Sequence, residues 1–568
     1  MKEQLVKTLQ AVAEKFGIEA DKISLEYPDD ISHGDFSTNI AMAAAKALKI
    51  SPKALAEKIV AEFSQNKPEF VESVSVAGPG FINFKVKDEV LTKAAIDRPE
   101  ALYLRKARSP KVKQVMVEYT DPNPFKVFHI GHLMSNAIGE SVSRLIEYSG
   151  AEVIRACYQG DVGLHVAKTI WALIHEAGAL EKLSASGLVT DKVKLLGEMY
   201  VIGASHDDDP AIQKEIADVN KKIFDKSDPK INDIYKQGRQ YSLDYFDTIY
   251  ARLDTKFDRF FFESEVADDG IKTVKEFLKK GIFEESDGAI VFKGENHGLH
   301  TRVFITSNSL PTYETKELGL NADKFKQYPD LSESVIVTAN EINEYFKVLL
   351  KVMSLTDPAV AEKTKHLSHG IMRFASGKMS SRKGNVISAE SLIDDIKEMV
   401  KEKMVGREFK DIEVDEVSDQ VAIAAIKYTI LRQAIGGDVI FDSAASISFE
   451  GDSGPYLQYS AVRAQSVLNK AGEAPTGTMK HPEQAGLLER LIVRFPDIVG
   501  RARAEYTPQH IAGYLINLAG AFNAFYANSV IVDAKEPLSP YRIALTRAFL
   551  AAMTDGLWLL GIKVPKRM

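Results

Sequence analysis

The spacing of apolar residues changes character twice along the chain. Over residues 1–108, helical spacing alternates with short strand-like runs, which predicts a small α+β unit. From residue 111 to about residue 390, strand, loop and helix patterns alternate, as in a mostly parallel α/β sheet. Beyond about residue 420 the strand pattern fades and helical spacing dominates. The pattern therefore predicts a multidomain α/β protein whose core lies between an α+β region and an all-α region.

We divide the chain into domains on this pattern. An N-terminal α+β domain covers 1–108, an α/β domain covers 109–390, a helical connecting region covers 391–450, and a helical C-terminal domain covers 451–568. The α/β domain carries a charged, helix-rich insertion at 181–297. The spacing predicts helices at 5–16, 52–64, 132–150, 487–503 and 508–527, and strands at 73–76, 81–84, 114–119 and 370–374.

Composition narrows the class of protein. With 45% apolar and 27% charged residues, the chain has the make-up of an ordinary globular protein rather than a disordered, collagenous or membrane protein. Its net charge of −7 excludes a globally basic surface, so a nucleic-acid partner must be bound by local patches. The single cysteine, Cys157, cannot form an internal disulfide or a thiolate metal cluster, and the N-terminal helix carries Glu3 and Glu14, which an export signal would avoid. We expect a soluble, cytoplasmic monomer without a membrane partner or a dedicated protein metal site.

The first chemical motif is His129-Ile130-Gly131-His132, at the opening of the α/β region. It follows a predicted strand and a loop, and an apolar helical face begins after it, so we expect the second histidine to open a helix. A helix N-terminus offers free N–H groups and a partial positive charge, which suit a polyphosphate. Both histidines can donate hydrogen bonds to phosphoryl oxygens, and Gly131 would let a flat adenine approach the backbone. The alternative is structural, with one histidine capping the helix and the other packed in the loop.

The second motif is a basic run between a strand-like stretch and a helix that Ser388 can cap. Its sequence is Gly377-Lys378-Met379-Ser380-Ser381-Arg382-Lys383-Gly384-Asn385. Lysine and arginine donors on such a loop can close over a triphosphate and neutralise the charge of departing pyrophosphate. A solvated charged turn is the alternative for this run taken alone.

Together, and in this order, the two motifs resemble the HIGH and KMSKS motifs of the class I aminoacyl-tRNA synthetases. The resemblance implies a Rossmann-like parallel-sheet catalytic core. Such a core joins an amino acid to the α-phosphate of ATP, with Mg²⁺ on the phosphates, and passes it to the terminal adenosine of a tRNA.

The resemblance also implies roles for individual residues. His129 and His132 would stabilise the reacting phosphate, Lys378 would stabilise the leaving pyrophosphate, and Lys126 matches a family lysine that can assist ATP. Ser381 stands where the family usually has a second lysine, whose charge Arg382 and Lys383 would supply. The residues expected to bind ATP are His129, Gly131, His132, Lys378, Met379, Ser380, Ser381 and Lys383.

The choice of amino acid is a separate question. Cysteine-specific members use a thiolate zinc site, and large aliphatic-specific members carry an editing insertion for which 181–297 is too short. Arginine presents a planar fork of donors and needs carboxylates with aromatic or amide neighbours. The stretches 117–124, 160–165 and 311–319 resemble the arginyl-tRNA synthetase family, which implies L-arginine, ATP and tRNA(Arg) as substrates.

By position in that family, Glu118 and Asn123 would hold the α-amino group and nearby atoms, and Tyr313 and Glu317 would face the guanidinium. The family commonly has aspartate at the position of Glu317 and glutamine at that of Glu341, so negative charge is kept at the first and added at the second. The full set expected to bind arginine is Glu118, Asn123, His165, Tyr313, Glu317 and Glu341.

Both ends of the chain are similar to the tRNA-binding domains of the same family. The stretches 32–39 and 76–83 resemble its N-terminal domain, and 448–459 resembles its helical anticodon-binding domain. Phosphates would position the tRNA, and exposed bases would be recognised by stacking and hydrogen bonds. The candidate contacts are Phe36, Asn39, Tyr456, Gln458, Tyr459 and Arg463. For aromatic residues on helices, packing in the core is the common alternative.

Two other functions are weighed against this one. A synthetase-like ligase would pass the activated amino acid to a small molecule, but it would have no anticodon to recognise and no need of the flanking domains. A non-catalytic tRNA-binding relative would have no chemical need for His129, His132 and Lys378.

Overall fold

A computed structural model of the protein describes residues 1–19, 23–28, 30–97, 113–375, 387–405, 411–472 and 479–568. The chain divides into two compact units. The first unit consists of Met1–Leu102, Ser460–Asp497 and Ile516–Thr554, and the second of Tyr103–Tyr459, Ile498–Leu515 and Asp555–Met568. The C-terminal helices therefore contribute to both units.

The N-terminal part of the first unit is the small α+β fold that the apolar spacing predicts. Its elements are α1 (Lys2–Lys15), β1 (Phe36–Thr38), α2 (Ile40–Leu48), α3 (Pro52–Gln65), β2 (Val71–Ala77), β3 (Phe81–Val86) and α4 (Asp88–Ile96). The strands pair antiparallel in the order β1-β3-β2, and Leu9, Ile59 and Phe63 of the helices share a core with Phe84 of β3. The predicted helices at 5–16 and 52–64 and the two predicted strands are confirmed.

The second unit is built on a parallel sheet with the strand order β11-β10-β4-β5-β6. These strands are β4 (Gln114–Glu118), β5 (Glu152–Gln159), β6 (Arg259–Phe262), β10 (Leu331–Ala339) and β11 (Thr364–His369), and two small sheets hold β7 (Glu284–Ser286), β8 (Ala289–Phe292), β9 (Arg302–Ile305), β12 (Met372–Phe374) and β13 (Val439–Phe441). The carboxyl ends of parallel strands meet at one edge, where α/β proteins bind their ligands. The predicted α/β core is confirmed.

Long helices join and flank these strands. Between β4 and β10 they are α5 (Ile130–Tyr148), α6 (Leu164–His175), α7 (Ala179–Ala185), α8 (Val189–Ala204), α9 (Pro210–Asp225), α10 (Pro229–Arg252), α11 (Glu263–Lys279) and α12 (Tyr313–Gln327). After β10 they are α13 (Asn343–Thr356), α14 (Pro358–Lys363), α15 (Ala389–Met404), α16 (Asp411–Leu431), α17 (Ser443–Ser446), α18 (Gly454–Ala471), α19 (Leu487–Glu505), α20 (Gln509–Asn528) and α21 (Ser539–Leu559). Within the described ranges, no helix combines the length and the apolar character needed to cross a bilayer.

Four short strands lie where the sequence predicts helical structure. The insertion predicted at 181–297 contains β6, which pairs with β5 and forms an edge of the central sheet, and the antiparallel pair of β7 and β8. The region predicted as helical at 391–450 contains β13, which pairs with β12. Strands of three or four residues are too short to show a two-residue period beside long helices.

Helix α5 is buried along residues 132–146. The elements that pack around it therefore hold the helix, and with it the first turn, in position. Its residues bond to the segment around the end of α21: the Oγ of Ser141 donates to the carbonyl of Leu559 at 2.7 Å, and the guanidinium of Arg144 donates to the carbonyl of Trp558 at 3.0 Å. These are bonds from buried polar groups, which would be costly to leave without partners. Residues far apart in sequence therefore hold the helix that follows β4.

Candidate active site

The loop between β4 and α5 has an unusual backbone. Thr120, Asp121 and Phe125 adopt positive φ angles of 82°, 46° and 67°, a region that side chains other than glycine rarely occupy. The carboxylate of Asp121 accepts a hydrogen bond from the backbone N–H of Tyr158 at 2.7 Å, and the N–H of Phe125 donates to Ser242 of α10 at 2.9 Å. Neighbouring elements thus stabilise a conformation that is concentrated at functional sites.

The two histidines of the first motif cap α5 together. The Nδ1 of His129 accepts from the N–H of Gly131 at 3.1 Å, and the Nδ1 of His132 accepts from the N–H of His129 at 3.2 Å. Their rings stack with centroids 3.6 Å apart. The helix begins at Ile130, so the prediction that His132 opens it is wrong by two positions, because His129 is the N-cap.

This capping determines which ring nitrogen carries the proton. An Nδ1 that accepts from the backbone is unprotonated, so each neutral ring carries its hydrogen on Nε2. Burial lowers the pKa of His129, and it lowers that of His132 well below the usual value, with Lys126 as a positive neighbour of both. Both rings are therefore neutral near pH 7 and have an Nε2–H to donate.

Gly131 is required here for a reason that the sequence does not reveal. A Cβ at this position would lie 2.9 Å from the Cε1 of His129, because the capping ring folds back over the first turn. Space for that ring, besides the predicted approach of an adenine, thus explains the glycine.

The basic motif lies outside the described residues, including the predicted contacts Lys378, Met379, Ser380, Ser381 and Lys383. The residues that follow it are anchored at the histidine motif: Ile387 accepts from the N–H of Ile130 at 3.3 Å, and Ala389 donates to the carbonyl of Phe128 at 2.8 Å. Ser388 caps α15 as predicted. The chain after the second motif therefore resumes beside the first.

A buried ion pair lies at the carboxyl end of β4. Glu118 is 2% exposed, and its carboxylate lies 2.8 Å from the ammonium of Lys324, which is fully buried on α12. Glu317, two turns earlier on α12, is also buried and accepts from the amide of Asn321 at 3.3 Å. Burial and the neighbouring charge of Glu118 raise the pKa of Glu317 to about 8. This buried cluster thus holds a carboxyl group that keeps its proton at neutral pH.

A second ion pair adjoins the first. Lys316 pairs with Glu263, both buried, and the Lys316 ammonium lies 4.4 Å from the centre of the Tyr313 ring. Glu263 in turn adds to the negative charge that raises the pKa of Glu317. Neither the apolar pattern nor the family resemblance indicates a role for Glu263, Lys316 or Lys324, although Lys316 lies within the stretch 311–319.

Asn123 and His165 meet at the carboxyl end of β5. The amide oxygen of Asn123 accepts from the N–H of Gly160 at 3.1 Å, and the Nε2 of His165 donates to the carbonyl of Gly160 at 3.0 Å. A Cβ on Gly160 would lie 2.5 Å from that amide oxygen, so a larger residue here would displace the side chain of Asn123. Burial lowers the pKa of His165 to about 4, and Lys126 adds to this.

Two of the residues that are predicted to bind arginine lie at the protein surface. Tyr313 begins α12 and is 65% exposed, while Glu341 is exposed on the short 3₁₀ turn Asn340–Ile342 that follows β10. The structure therefore buries Glu118 and Glu317, half-buries Asn123 and His165, and leaves Tyr313 and Glu341 at the surface.

The predicted tRNA contacts differ in exposure. Phe36 is 4% exposed and packs against Tyr27, so its ring has no face on which a base could stack. Gln458 is fully buried and donates to the carbonyl of Lys563 at 2.7 Å. These two side chains serve packing, whereas Asn39 is exposed before α2.

Three other candidates on α18 are partly exposed. Tyr456 and Tyr459 are half-buried, and Tyr459 lies edge-on to Phe449. Arg463 donates to the side chain of Asn523 and lies over the ring of Tyr526. They stay candidates for contacts with bases.

Comparison with known protein families explains this arrangement. A family model described as "tRNA synthetases class I (R), catalytic domain" matches residues 99–443, which is more than half of the chain. The parallel sheet, with its histidine-capped helix after β4, is thus that of a class I aminoacyl-tRNA synthetase. Models for the "Arginyl tRNA synthetase N terminal domain" and the "DALR anticodon binding domain" match residues 1–86 and 457–568. The chain belongs to the arginyl-tRNA synthetase family.

Individual relatives agree with this family over their full lengths. The chain is 29% identical to an arginine–tRNA ligase of Streptococcus suis, with 100% of both chains covered, and 27% identical to one of Flavobacterium psychrophilum, with 98% of both covered. Its fold matches the arginyl-tRNA synthetase structure of Thermus thermophilus with a TM-score of 0.81, 24% identity and full coverage of both chains. The Plasmodium falciparum structure matches with a TM-score of 0.79, 20% identity and coverage of 100% and 99%.

Proposed function

We propose that the protein is an arginine–tRNA ligase. It joins the carboxylate of L-arginine to the α-phosphate of ATP, releases pyrophosphate, and transfers the arginyl group to the 3′-terminal adenosine of tRNA(Arg). The observation that carries the choice of arginine is the buried acidic cluster of Glu118, Glu263 and Glu317 at the carboxyl end of β4. Membership of the arginyl-tRNA synthetase family supports the same reaction.

The charges in the pocket suit a substrate with two positive groups. Four carboxyl groups interact with two ammonium groups there: Glu118, Asp121, Glu263 and Glu317 with Lys316 and Lys324. When all are ionised, two negative charges are in excess, and arginine brings a guanidinium and an α-ammonium group. Burial raises the pKa of Asp121 and of Glu317, so these two carboxyl groups favour protons until a cationic ligand takes their place.

The histidine pair and Lys126 are the groups of the described chain that face the nucleotide in this proposal. The neutral Nε2–H groups of His129 and His132 donate to phosphoryl oxygens as negative charge builds there, and Lys126 adds a positive charge nearby. Lys378 assists the departure of pyrophosphate. Mg²⁺ enters with the phosphates of ATP, as part of the nucleotide substrate.

We assign each residue of the arginine site a role according to its position in the family and in the structure. Glu118 and Asn123 hold the α-amino side of arginine, Glu317 and Tyr313 hold the guanidinium, and Glu341 closes the rim. His165 acts through Gly160, whose carbonyl it binds. The flanking regions bind the tRNA, with Asn39, Tyr456, Tyr459 and Arg463 as candidate contacts. We also propose that the protein acts as a monomer in the cytoplasm. The buried free thiol of Cys157 would stay reduced there.

ATP–pyrophosphate exchange tests this function. We expect exchange with L-arginine in the presence of tRNA(Arg), followed by charging of that tRNA. Citrulline has nearly the same shape but lacks the cation, and we expect its kcat/KM to be lower by about 10⁴-fold, because buried carboxylates would be left without partners. Exchange with another amino acid and none with arginine would contradict the proposal. Arginine activation without transfer to any tRNA would favour the small-molecule ligase instead.

Arginine affinity should depend on pH through Glu317. Its raised pKa keeps a proton on most molecules at pH 7, and this proton must leave before the carboxylate can pair with a guanidinium. Affinity should therefore rise by roughly 25-fold between pH 6.5 and 8.5. Calorimetric titration with arginine measures the effect. The Glu317→Gln variant should bind weakly without this pH dependence, and an unchanged slope in that variant would assign the proton to another group.

A further inference from the structure

Lys324 is a fully buried lysine in the pocket proposed for arginine, and the reaction itself gives it no task. Its ammonium lies 2.8 Å from the carboxylate of Glu118, and both side chains are almost completely removed from water. A buried ammonium is destabilising unless a charge partner is at hand. Lys324 and Glu118 therefore depend on each other.

Several elements packed around this pair add titratable groups. Asp121 follows β4, Glu263 begins α11, Glu317 and Lys316 belong to α12, and the phenols of Tyr158 and Tyr345 come from β5 and α13. Burial raises the pKa of Asp121 well above its usual range, and the charge of Glu118 adds to this. The carboxyl groups thus compete for ionisation, and Lys324 is the ammonium beside Glu118.

We propose that Lys324 is a positioning residue for arginine recognition: its ammonium pairs with the buried carboxylate of Glu118 and holds it in place to receive a cationic group of the substrate. The inference rests on the proposed function of the site. Without Lys324, Glu118 would lie buried near Asp121 and Glu317 with no counter-ion and would take up a proton. Arginine would then have to displace one proton more than it does in the wild-type protein.

Calorimetric titration of the full chain with L-arginine, in buffers of different ionisation enthalpy, measures this proton. For Lys324→Met we expect release of about one additional proton per arginine and affinity weaker by roughly tenfold at pH 7, recovering as the pH rises. Lys324→Arg should keep the wild-type proton count, because it keeps the charge. Lys326→Met removes an exposed lysine two residues further along α12 and serves as the matched control, with no expected change.

The inference is overturned if Lys324→Met releases the same number of protons as the wild type, whether its affinity is unchanged or falls equally at every pH. In that case Lys324 only packs. If Lys324→Met does not fold, Lys324→Gln keeps a polar group beside Glu118 and carries the same expectation. These results are distinct from failure of the proposed function, because only the latter would leave the wild-type protein without arginine-dependent exchange.

Discussion

Replacing His132 by alanine should lower kcat for arginine-dependent ATP–pyrophosphate exchange by about 10²- to 10³-fold, the loss expected for one donor to a developing phosphoryl charge. The KM for arginine should change little, because in the proposed site His132 donates to the phosphate of ATP and not to arginine. The physical reason is the neutral ring: His132 has its Nδ1 engaged by the backbone and its Nε2–H available for donation. Steady-state exchange kinetics with varied arginine and ATP measure both constants.

Two further substitutions at this position separate chemistry from capping. Asparagine places an acceptor near the position of Nδ1, so His132→Asn should keep the bond from the His129 N–H and the thermal stability, yet lose activity like alanine. Glutamine places an amide N–H near the position of Nε2, so His132→Gln should retain more activity than His132→Asn. Activity that follows thermal stability across all three variants would show that the ring serves only to cap α5.

Glu118→Gln should reduce both stability and arginine binding. The substitution leaves the ammonium of Lys324 buried beside a neutral amide, and breaking such a pair costs about 3–5 kcal/mol. Urea denaturation reports the stability and calorimetry reports the affinity. The double variant Glu118→Gln/Lys324→Met should regain stability, because no charge is left unpaired, but it should not regain affinity. A loss of stability in Glu118→Gln below about 1 kcal/mol would mean that water reaches the ammonium.

The apolar pattern predicted the elements that carry the site more accurately than their ends. The strand at 114–119 and the helix after the histidine motif are both present, as β4 and α5. The two capping hydrogen bonds, which the side chains of His129 and His132 accept from the backbone, were not predictable. They depend on side-chain rotamers that a residue pattern does not specify. Strand β6 was missed for a different reason, since four residues between α10 and α11 show no period of their own.

The residue spacing along α12 already indicates part of the acidic cluster. Glu317, Asn321 and Lys324 are four and three residues apart, which places them on one face of α12. The sequence alone therefore predicts that these three side chains lie on the same side of α12. The partner across the pocket was not predictable, because Glu118 meets Lys324 only when α12 packs on the sheet, and Glu263 reaches Lys316 from a different helix. Resemblance identified Glu118 and Glu317 without indicating how their charges are balanced.

The bonds that α5 makes with the segment around Trp558 affect how the protein is made. Arg144 and Trp558 are 414 residues apart, so the ribosome completes the helix that carries the two histidines long before it adds these partners. Until then the guanidinium of Arg144 lacks the Trp558 carbonyl, and Ser141 lacks that of Leu559. A nascent chain interrupted before this segment contains both motifs in its sequence but cannot complete the packing around α5. Interrupted translation products should therefore be poor catalysts, even though they contain the histidine motif, the basic motif and the residues of the acidic cluster.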